Sequence, residues 1–240
     1  PFDNILIEAM QQTMKYLCEN ISGCVLGYTQ SDEITLLLID YKSMAQGAWF
    51  GYVKRKVETI SASMATMAFN KFYTDIVKER VRKELKGCET EADKKKVTDY
   101  YTKYARKCGK AMFDSRAWNM PEFEVINGFI WRQNDCVRNS IQSVAQANFS
   151  AKQLVHKNQK ELMDMLMLKK GVNWNDYPIH LKRGTCCVKV PQTYNEGTPD
   201  EFTRSKWVID KEIPTFTKDR DYIEKQFKSI RTVTNKIDQK

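Results

Sequence analysis

Apolar and polar positions divide the chain into stretches of distinct period. From Phe2 to Ile21, Ile5, Leu6, Ala9, Met10, Thr13, Met14 and Leu17 recur three and four apart, which predicts an amphipathic helix. Cys24–Gly27 and Ile34–Ile39 are apolar runs around a polar turn, Tyr28-Thr29-Gln30-Ser31, and predict a β-hairpin. The second run is almost unbroken, as in a strand buried on both faces. Asp40 to Gly51 reads as a connector, and a second helix is predicted from Tyr52 to about Val77. Its stretch S-A-S-M-A-T-M-A-F is small and apolar, suited to close packing on a sheet.

Gly87 to Thr90 separates two charged helical segments, so residues 71–110 read as a helical hairpin projecting from the core. Ala111–Arg116 reads as a short strand. Glu122 to about Phe149 reads as a third long helix, with Val125, Phe129, Arg132, Cys136, Asn139, Ser143 and Ala147 along one face. Asn158 to Lys169 is a further helix closed by Gly171. Thr185–Val190 alternates as a strand. Arg204–Asp210 with Pro214-Thr215-Phe216 reads as a closing hairpin, and Asp219–Lys240 as a basic helix or tail. A helix followed by a hairpin suggests an antiparallel sheet with a helix on one face, an α+β fold of ferredoxin-like type.

Composition narrows the partner. The 240 residues are 42% hydrophobic, enough for a sizeable core, and no apolar run approaches a membrane span. The net charge of +9 favours an anionic partner, nucleic acid first. Residues 71–110 alone hold thirteen Lys and Arg against seven Asp and Glu. Tyr100, Tyr101 and Tyr104 interleave there with Lys103, Arg106 and Lys107, a pattern that serves either RNA contact or the packing of a solvated hairpin. The seven cysteines are scattered, without a C-x-x-C pair or a nearby histidine cluster, so reduced thiols in a cytoplasmic setting are the simplest reading.

Candidate chemistry gathers at polar positions that local structure does not require. Asp32 and Glu33 stand where the turn enters the second strand. A carboxylate there suits a divalent ion, since Mg²⁺ takes one or two carboxylates with phosphate oxygens and water; the alternative is that Ser31-Asp32 caps a turn. Lys54, Arg55 and Lys56 begin the second helix against its macrodipole, which anion binding would explain, as would a solvated basic turn. Arg132, Asp135 and Asn139 share one side of the third long helix, as a satisfied network or a ligand surface.

Taken together, G-Y-T-Q-S-D-E (27–33), W-F-G (49–51) with Lys56 and S-A-S-M-A (61–65), F-D-S-R (113–116), W-R-Q-N-D (131–135), K-N (157–158), G-V-N-W-N (171–175) and K-R-G (182–184) carry a resemblance. Over about residues 1–190 the chain resembles the tRNA-histidine guanylyltransferase superfamily, and most closely its bacterial, archaeal and phage guanylyltransferase-like branch. The resemblance implies a polymerase-palm sheet with packed helices, an inserted basic helical hairpin, and two Mg²⁺ ions. It implies addition of nucleotides to the 5′ end of tRNA in the 3′-to-5′ direction. ATP would activate the 5′-monophosphate, and the 3′-hydroxyl of GTP would attack it. Asp32 is cast as a metal ligand with Glu33 supporting it. Ser31 would line the nucleotide pocket, and Lys56, Arg116, Lys157, Asn158 and Asn175 would contact triphosphate or the RNA 5′ end.

The resemblance divides the chain into a palm over residues 1–190 and a C-terminal hairpin and basic helix over 191–240. It also implies a homo-oligomer, a tetramer in this family, and no membrane. Two departures stand out. Val137 to Ser143 replaces the H-I-N-N-L-Y-N of the eukaryotic branch, which favours templated 5′-end repair over obligatory guanosine addition. The family's R-[IL]-D-G strand, with the first metal aspartate, would precede Pro1, so the chain as given is expected to be inactive alone. The competing reading is a tRNA-binding palm that has lost catalysis; a nucleotide cyclase is a third, which the residues at 131–135 and 171–184 disfavour.

Overall fold

The computed structural model describes residues 1–41 and 47–228; part of the expected connector, 42–46, and the end of the expected basic tail, 229–240, lie outside the described residues. The first helix, α1 (Asn4–Asn20), forms as its periodicity predicts. Asp3 caps it, its Oδ1 accepting from the amides of Ile5 at 2.9 Å and Leu6 at 3.2 Å. Ile5, Ala9, Met10, Met14 and Leu17 form its buried face.

The hairpin follows, with β1 (Cys24–Gln30) and β2 (Glu33–Leu38) antiparallel. Gln30 pairs with Glu33, so the turn is the two residues Ser31-Asp32, two positions later than the sequence suggests. Ser31 takes a left-handed φ of 50° to close it.

The second strand is not buried on both faces as its apolar run predicts. β1 is buried at all seven positions, whereas β2 is exposed at Glu33 and half-buried beyond it. The sheet order β2-β1-β3-β4 explains this: among the described residues β2 is an edge strand and β1 an inner one. The apolar run of β2 still serves both layers, because Ile34, Leu36 and Leu38 pack beneath α1 while Leu37 joins the opposite core.

The other two strands are β3 (Thr185–Tyr194) and β4 (Phe202–Asp210), which pair with each other through nine register positions. β4 therefore closes on β3 and not on Pro214–Phe216, which form no strand. That segment is clamped instead by the buried amide of Gln133, which donates to the Pro214 carbonyl at 2.9 Å and accepts from the Phe216 amide at 2.8 Å.

Helices cover both faces. On one, α1 lies against α2 (Lys54–Lys86), a single 33-residue helix that includes both the expected second helix and the first arm of the expected hairpin. Ile5, Ala9 and Met10 pack with Phe69, Tyr73 and Val77, while Met14, Leu17 and Cys18 pack with Ala65. The two helices are thus antiparallel, and the N-terminus of α2 lies at the Cys24 end of the sheet, away from the Ser31-Asp32 turn. α3 (Glu91–Ala105) folds back on α2, and buried Tyr101 donates to Glu84 Oε1 at 2.7 Å. Tyrosine packing in this arm is therefore real, although Tyr100 stays exposed.

Ala111–Arg116 is extended but is not a strand. It runs along α2, fastened by polar side chains: the Ala111 amide donates to Asn70 Oδ1 at 3.0 Å and the Phe113 amide to Thr66 Oγ1 at 3.0 Å. Ser61 and Ser115 hydroxyls meet at 2.7 Å, and the Ala117 amide donates to Glu58 Oε1 at 2.9 Å. Side chains of α2 thus supply the partners that a neighbouring strand would otherwise give.

On the other face lies α4 (Val125–Asn148). Val125, Phe129 and Cys136 are buried as predicted, but further along the buried positions are Ser140, Ile141, Val144 and Ala145 rather than Asn139, Ser143 and Ala147. The face changes because the neighbour changes: beyond the short α5 (Ala151–Leu154), α6 (Gln159–Lys170) brings Leu162 and Leu166 against this end. Gly171 closes α6 in the left-handed region, φ 64°. A short α7 (Ile179–Arg183) leads into β3, and α8 (Asp221–Glu224) brings Tyr222 and Ile223 into the core.

Candidate active site

At the turn end of the sheet, the hairpin carries two consecutive acidic residues, Asp32 in the turn and Glu33 at the first position of β2, on an exposed tip. Thr29 Oγ1 donates to the Glu33 carbonyl at 2.8 Å, which fixes the turn. Gln30 Nε2 and Arg132 Nη1 each reach Glu33 Oε2 at 3.0 Å. Arg132 comes from α4, and its guanidinium carbon lies 4.8 Å from the centroid of the Trp131 ring. Asp32 and Ser31 are exposed beside this network.

Three hydrogen bonds fix the loop from Gly171 to Gly184, two to other elements and one within the loop itself. Trp174 Nε1 donates to Ser140 Oγ on α4 at 2.9 Å, Lys182 Nζ donates to the Asn175 carbonyl at 2.5 Å, and Tyr28 Oη donates to the Arg183 carbonyl at 2.7 Å. Lys182 is buried to 9% exposure with its ammonium 5.6 Å from the Trp174 ring centroid. Burial, with the Arg183 charge second, holds its pKa below the ordinary lysine value. Gly184 leaves α7 at φ 83°, and a Cβ there would lie 2.7 Å from the Thr29 carbonyl oxygen.

Lys157 and Asn158 stand at the start of α6. Asn158 is its N-cap, accepting from the Glu161 amide at 3.0 Å while Glu161 Oε2 accepts from the Asn158 amide at 2.9 Å. Lys157 Nζ lies 3.1 Å from Glu161 Oε1. The Asn158 amide, and then Lys157, hold the Glu161 carboxyl below its ordinary value.

The sequence-predicted residues therefore fall into two groups. Ser31, Asp32 and Glu33 occupy the turn end, and α4 links them to the elements that carry Lys157, Asn158 and Asn175. Lys56 and Arg116 lie together elsewhere. The Ser61–Ser115 and Glu58–Ala117 bonds set Arg116 beside the first turns of α2, which carry Lys56, at the opposite end of the sheet. Arg116 is 85% exposed and 3.5 Å from Asp114. Sequence reasoning missed the Arg132–Glu33 pair and the anchoring role of Lys182. Neither has a local signal, since their partners lie far off in the chain or are backbone atoms.

Among the described residues, no group of three or more His, Cys, Asp and Glu side chains is placed to hold a metal ion. The adjacent carboxylates Asp32 and Glu33 are hard oxygen donors. They fit a magnesium ion that brings most of its ligands as phosphate oxygens and water. No described helix is long and apolar enough to cross a membrane.

An antiparallel sheet with helices on both faces and a carboxylate-bearing hairpin turn is an α+β fold of the palm type. The chain belongs to the tRNAHis guanylyltransferase family, whose profile matches residues 1–121. It is similar to a bacterial tRNA(His) guanylyltransferase (Thg1)-like protein in complex with ATP: 39% identity, TM-score 0.72, with 94% of this chain and 80% of that chain covered. The complex of such a bacterial protein with GTP gives 37% identity and TM-score 0.67, covering 94% and 79%. The tRNA(His) guanylyltransferase of Saccharomyces cerevisiae shares the fold at 16% identity and TM-score 0.57, covering 91% and 82%. An uncharacterized protein of Acanthamoeba polyphaga mimivirus is 25% identical over 202 residues, 79% of this chain and 63% of that protein, so the chain spans less than two thirds of that relative.

Proposed function

We propose that the chain is the palm-bearing part of a nucleotidyltransferase that adds nucleotides to the 5′ end of tRNA in the 3′-to-5′ direction. ATP activates the 5′-monophosphate and GTP is added, either as guanosine on tRNA-histidine or in templated repair of a shortened end. The observation that carries this reading is the exposed Asp32-Glu33 turn, oriented by Arg132 and Gln30, in a chain 39% identical to a Thg1-like protein held with ATP.

Nucleotidyl transfer asks little covalent chemistry of a protein; it asks for aligned oxygens and neutralised charge. In this reading Asp32 holds magnesium, with Glu33 as support. The ion, when bound, supplies charge neutralisation at the phosphates and lowers the pKa of the attacking hydroxyl. Arg132 and Gln30 keep the Glu33 carboxylate pointed along the turn. Lys157 offers a cation to phosphate, and Lys182 holds the backbone of Asn175 in place. Lys56 and Arg116, at the far end of the sheet, serve a phosphate of a second substrate or of the tRNA body. The palm is assigned to residues 1–190, with 191–240 packing on it, in a cytoplasmic homo-oligomer.

The test uses the full-length protein that carries this chain, a 5′-truncated and 5′-monophosphorylated tRNA, ATP, GTP and Mg²⁺. Lengthening at the 5′ end is expected, abolished by Asp32→Ala with the thermal midpoint retained. A protein that binds tRNA in a salt-sensitive way yet extends nothing would instead be a non-catalytic RNA-binding palm.

A further inference from the structure

We infer that a cleft on the outer face of α4 seats a nucleobase against Trp131. The cleft has a volume of about 220 Å³ and is lined by Trp131, Asn134, Asp135, Arg138 and Gln159. Four of these recur at three- and four-residue spacing on α4, so they form one helical stripe. Gln159, the first residue of α6, forms the other wall. The stripe is not a core face: Trp131 is 61% exposed, and the buried side of α4 is carried by Phe129, Gln133 and Cys136.

The lining chemistry selects the ligand. The one carboxylate, Asp135, is neutralised within the cleft by the Arg138 guanidinium and accepts from Asn139 Nδ2 at 3.1 Å. What remains is an indole and two side-chain amides, a flat stacking surface with donors and acceptors at its edge. Unpaired nucleobases are recognised in this way, by stacking on an aromatic ring and hydrogen bonding along their polar edges. An apolar peptide would find no greasy pocket, and an acidic one no unpaired cation in the lining.

Cations flank this neutral floor. Arg132 adjoins Trp131 on the side of the Asp32-Glu33 turn, and Lys157 lies two residues before Gln159. Both cations already hold a carboxylate of this chain, Arg132 that of Glu33 at 3.0 Å and Lys157 that of Glu161 at 3.1 Å, so the stacking floor and its amides carry the assignment, and the phosphates of a bound nucleotide would meet ion-paired side chains at the rim. The ligand is either a free nucleoside triphosphate or a nucleotide of a single-stranded RNA end; the two share this chemistry. The assignment rests on the nucleotidyltransferase reading for its biological role, but not for the binding it predicts.

The test titrates the protein, Trp131→Phe and Trp131→Ala with ATP, GTP and a short 5′-phosphorylated single-stranded RNA. Calorimetry gives affinity, and the emission difference between wild type and Trp131→Phe isolates the Trp131 signal. At least one probe should quench that signal. Its Kd should rise about tenfold in Trp131→Ala and stay within about twofold in Trp131→Phe, whose ring still stacks. A response to ATP or GTP identifies a substrate nucleotide, and a response to RNA alone identifies the strand. Equal affinity of Trp131→Ala for every probe, with its thermal midpoint retained, overturns the proposal, as does failure of all three probes to bind. Trp131-dependent binding without 5′-end transfer would leave the cleft standing and remove the enzymatic reading. Normal transfer with a KM indifferent to Trp131 would do the reverse.

Discussion

Arg132 Nη1 lies 3.0 Å from Glu33 Oε2, across 99 residues of sequence, and so joins the middle of α4 to the tip of the β1–β2 hairpin. The two side chains are 26% and 49% exposed, so the pair contributes at most about 1 kcal/mol to stability. Its effect is on orientation. With Gln30 on the same oxygen, it fixes one side of the carboxylate pair that would face a metal and phosphates.

Arg132→Ala is therefore expected to lower kcat/KM for 5′-end transfer at least tenfold while shifting the thermal midpoint by only a few degrees. Arg132→Lys should recover part of the rate, because a point charge still reaches Glu33 but loses the planar fork. Steady-state kinetics with parallel melts decides it. A large loss of stability with unchanged kinetics would make the contact a structural tie.

Gly184 offers a test of the backbone at the same end of the sheet. Its φ of +83° is costly for any other residue, and an added Cβ would meet the Thr29 carbonyl and the Tyr28 hydroxyl, both at 2.7 Å. Gly184→Ala should cost about 2–4 kcal/mol, read as a lower urea midpoint. Gly109→Ala is the control: φ is +72°, but nothing lies within 4 Å of its added Cβ, so only about 1 kcal/mol of backbone strain is expected. Equal losses at the two sites would mean that the crowding at Gly184 relaxes freely.

These sites also mark how far the sequence could be read. α1, the hairpin and the Gly171 stop were legible because each has a local cause: a helical stripe, a polar turn, a left-handed cap. The edge position of β2 was not, since an apolar run looks alike whether a strand or solvent lies beside it. Ala111–Arg116 has strand-like composition, but its partners are the α2 side chains Ser61, Thr66 and Asn70. The motifs at Lys56 and Arg116 were visible, yet their place at the far end of the sheet follows only from the antiparallel packing of α1 on α2. The Arg132–Glu33 contact needed the fold itself.

The pH dependence of stability follows from buried hydroxyls. Burial pushes the Tyr28 and Tyr222 phenols well above their ordinary value of 10.0. Each donates at 2.7 Å, Tyr28 to the Arg183 carbonyl and Tyr222 to Asp210 Oδ2, which a phenolate cannot do. The native protein keeps these protons where the unfolded chain releases them, so the unfolded state binds fewer protons above pH 10. Their contribution is full below about pH 10 and falls above it, by about 1.4 kcal/mol per pH unit for each group. Urea midpoints from about pH 8 to 11 should show this decline, and Tyr28→Phe should remove about half of the tyrosine share. A flat profile would mean that water already reaches both hydroxyls.

The basic arm formed by α2 and α3 gives the last prediction. Lys94 and Lys96 are paired with Glu91 at 2.7 Å and with Asp93 at 3.0 Å, so part of their charge is answered within the chain. Lys103 instead lies over the Tyr100 and Tyr104 rings, 4.4 and 5.1 Å from their centroids, an arrangement that presents cation and aromatic surface together. If the arm tracks a tRNA backbone, each phosphate contact removed should reduce the slope of log K against log salt by about 0.7–0.9. Replacing Lys95, Lys103, Lys107 and Lys110 with Gln should flatten that slope by two or more, while Lys94→Gln with Lys96→Gln should flatten it less. Filter binding of tRNA across a salt series measures both. A slope equal to that of the unaltered protein in the fourfold variant would make the arm a solvated appendage, with Lys103 and its tyrosines serving only to pack α3 on α2.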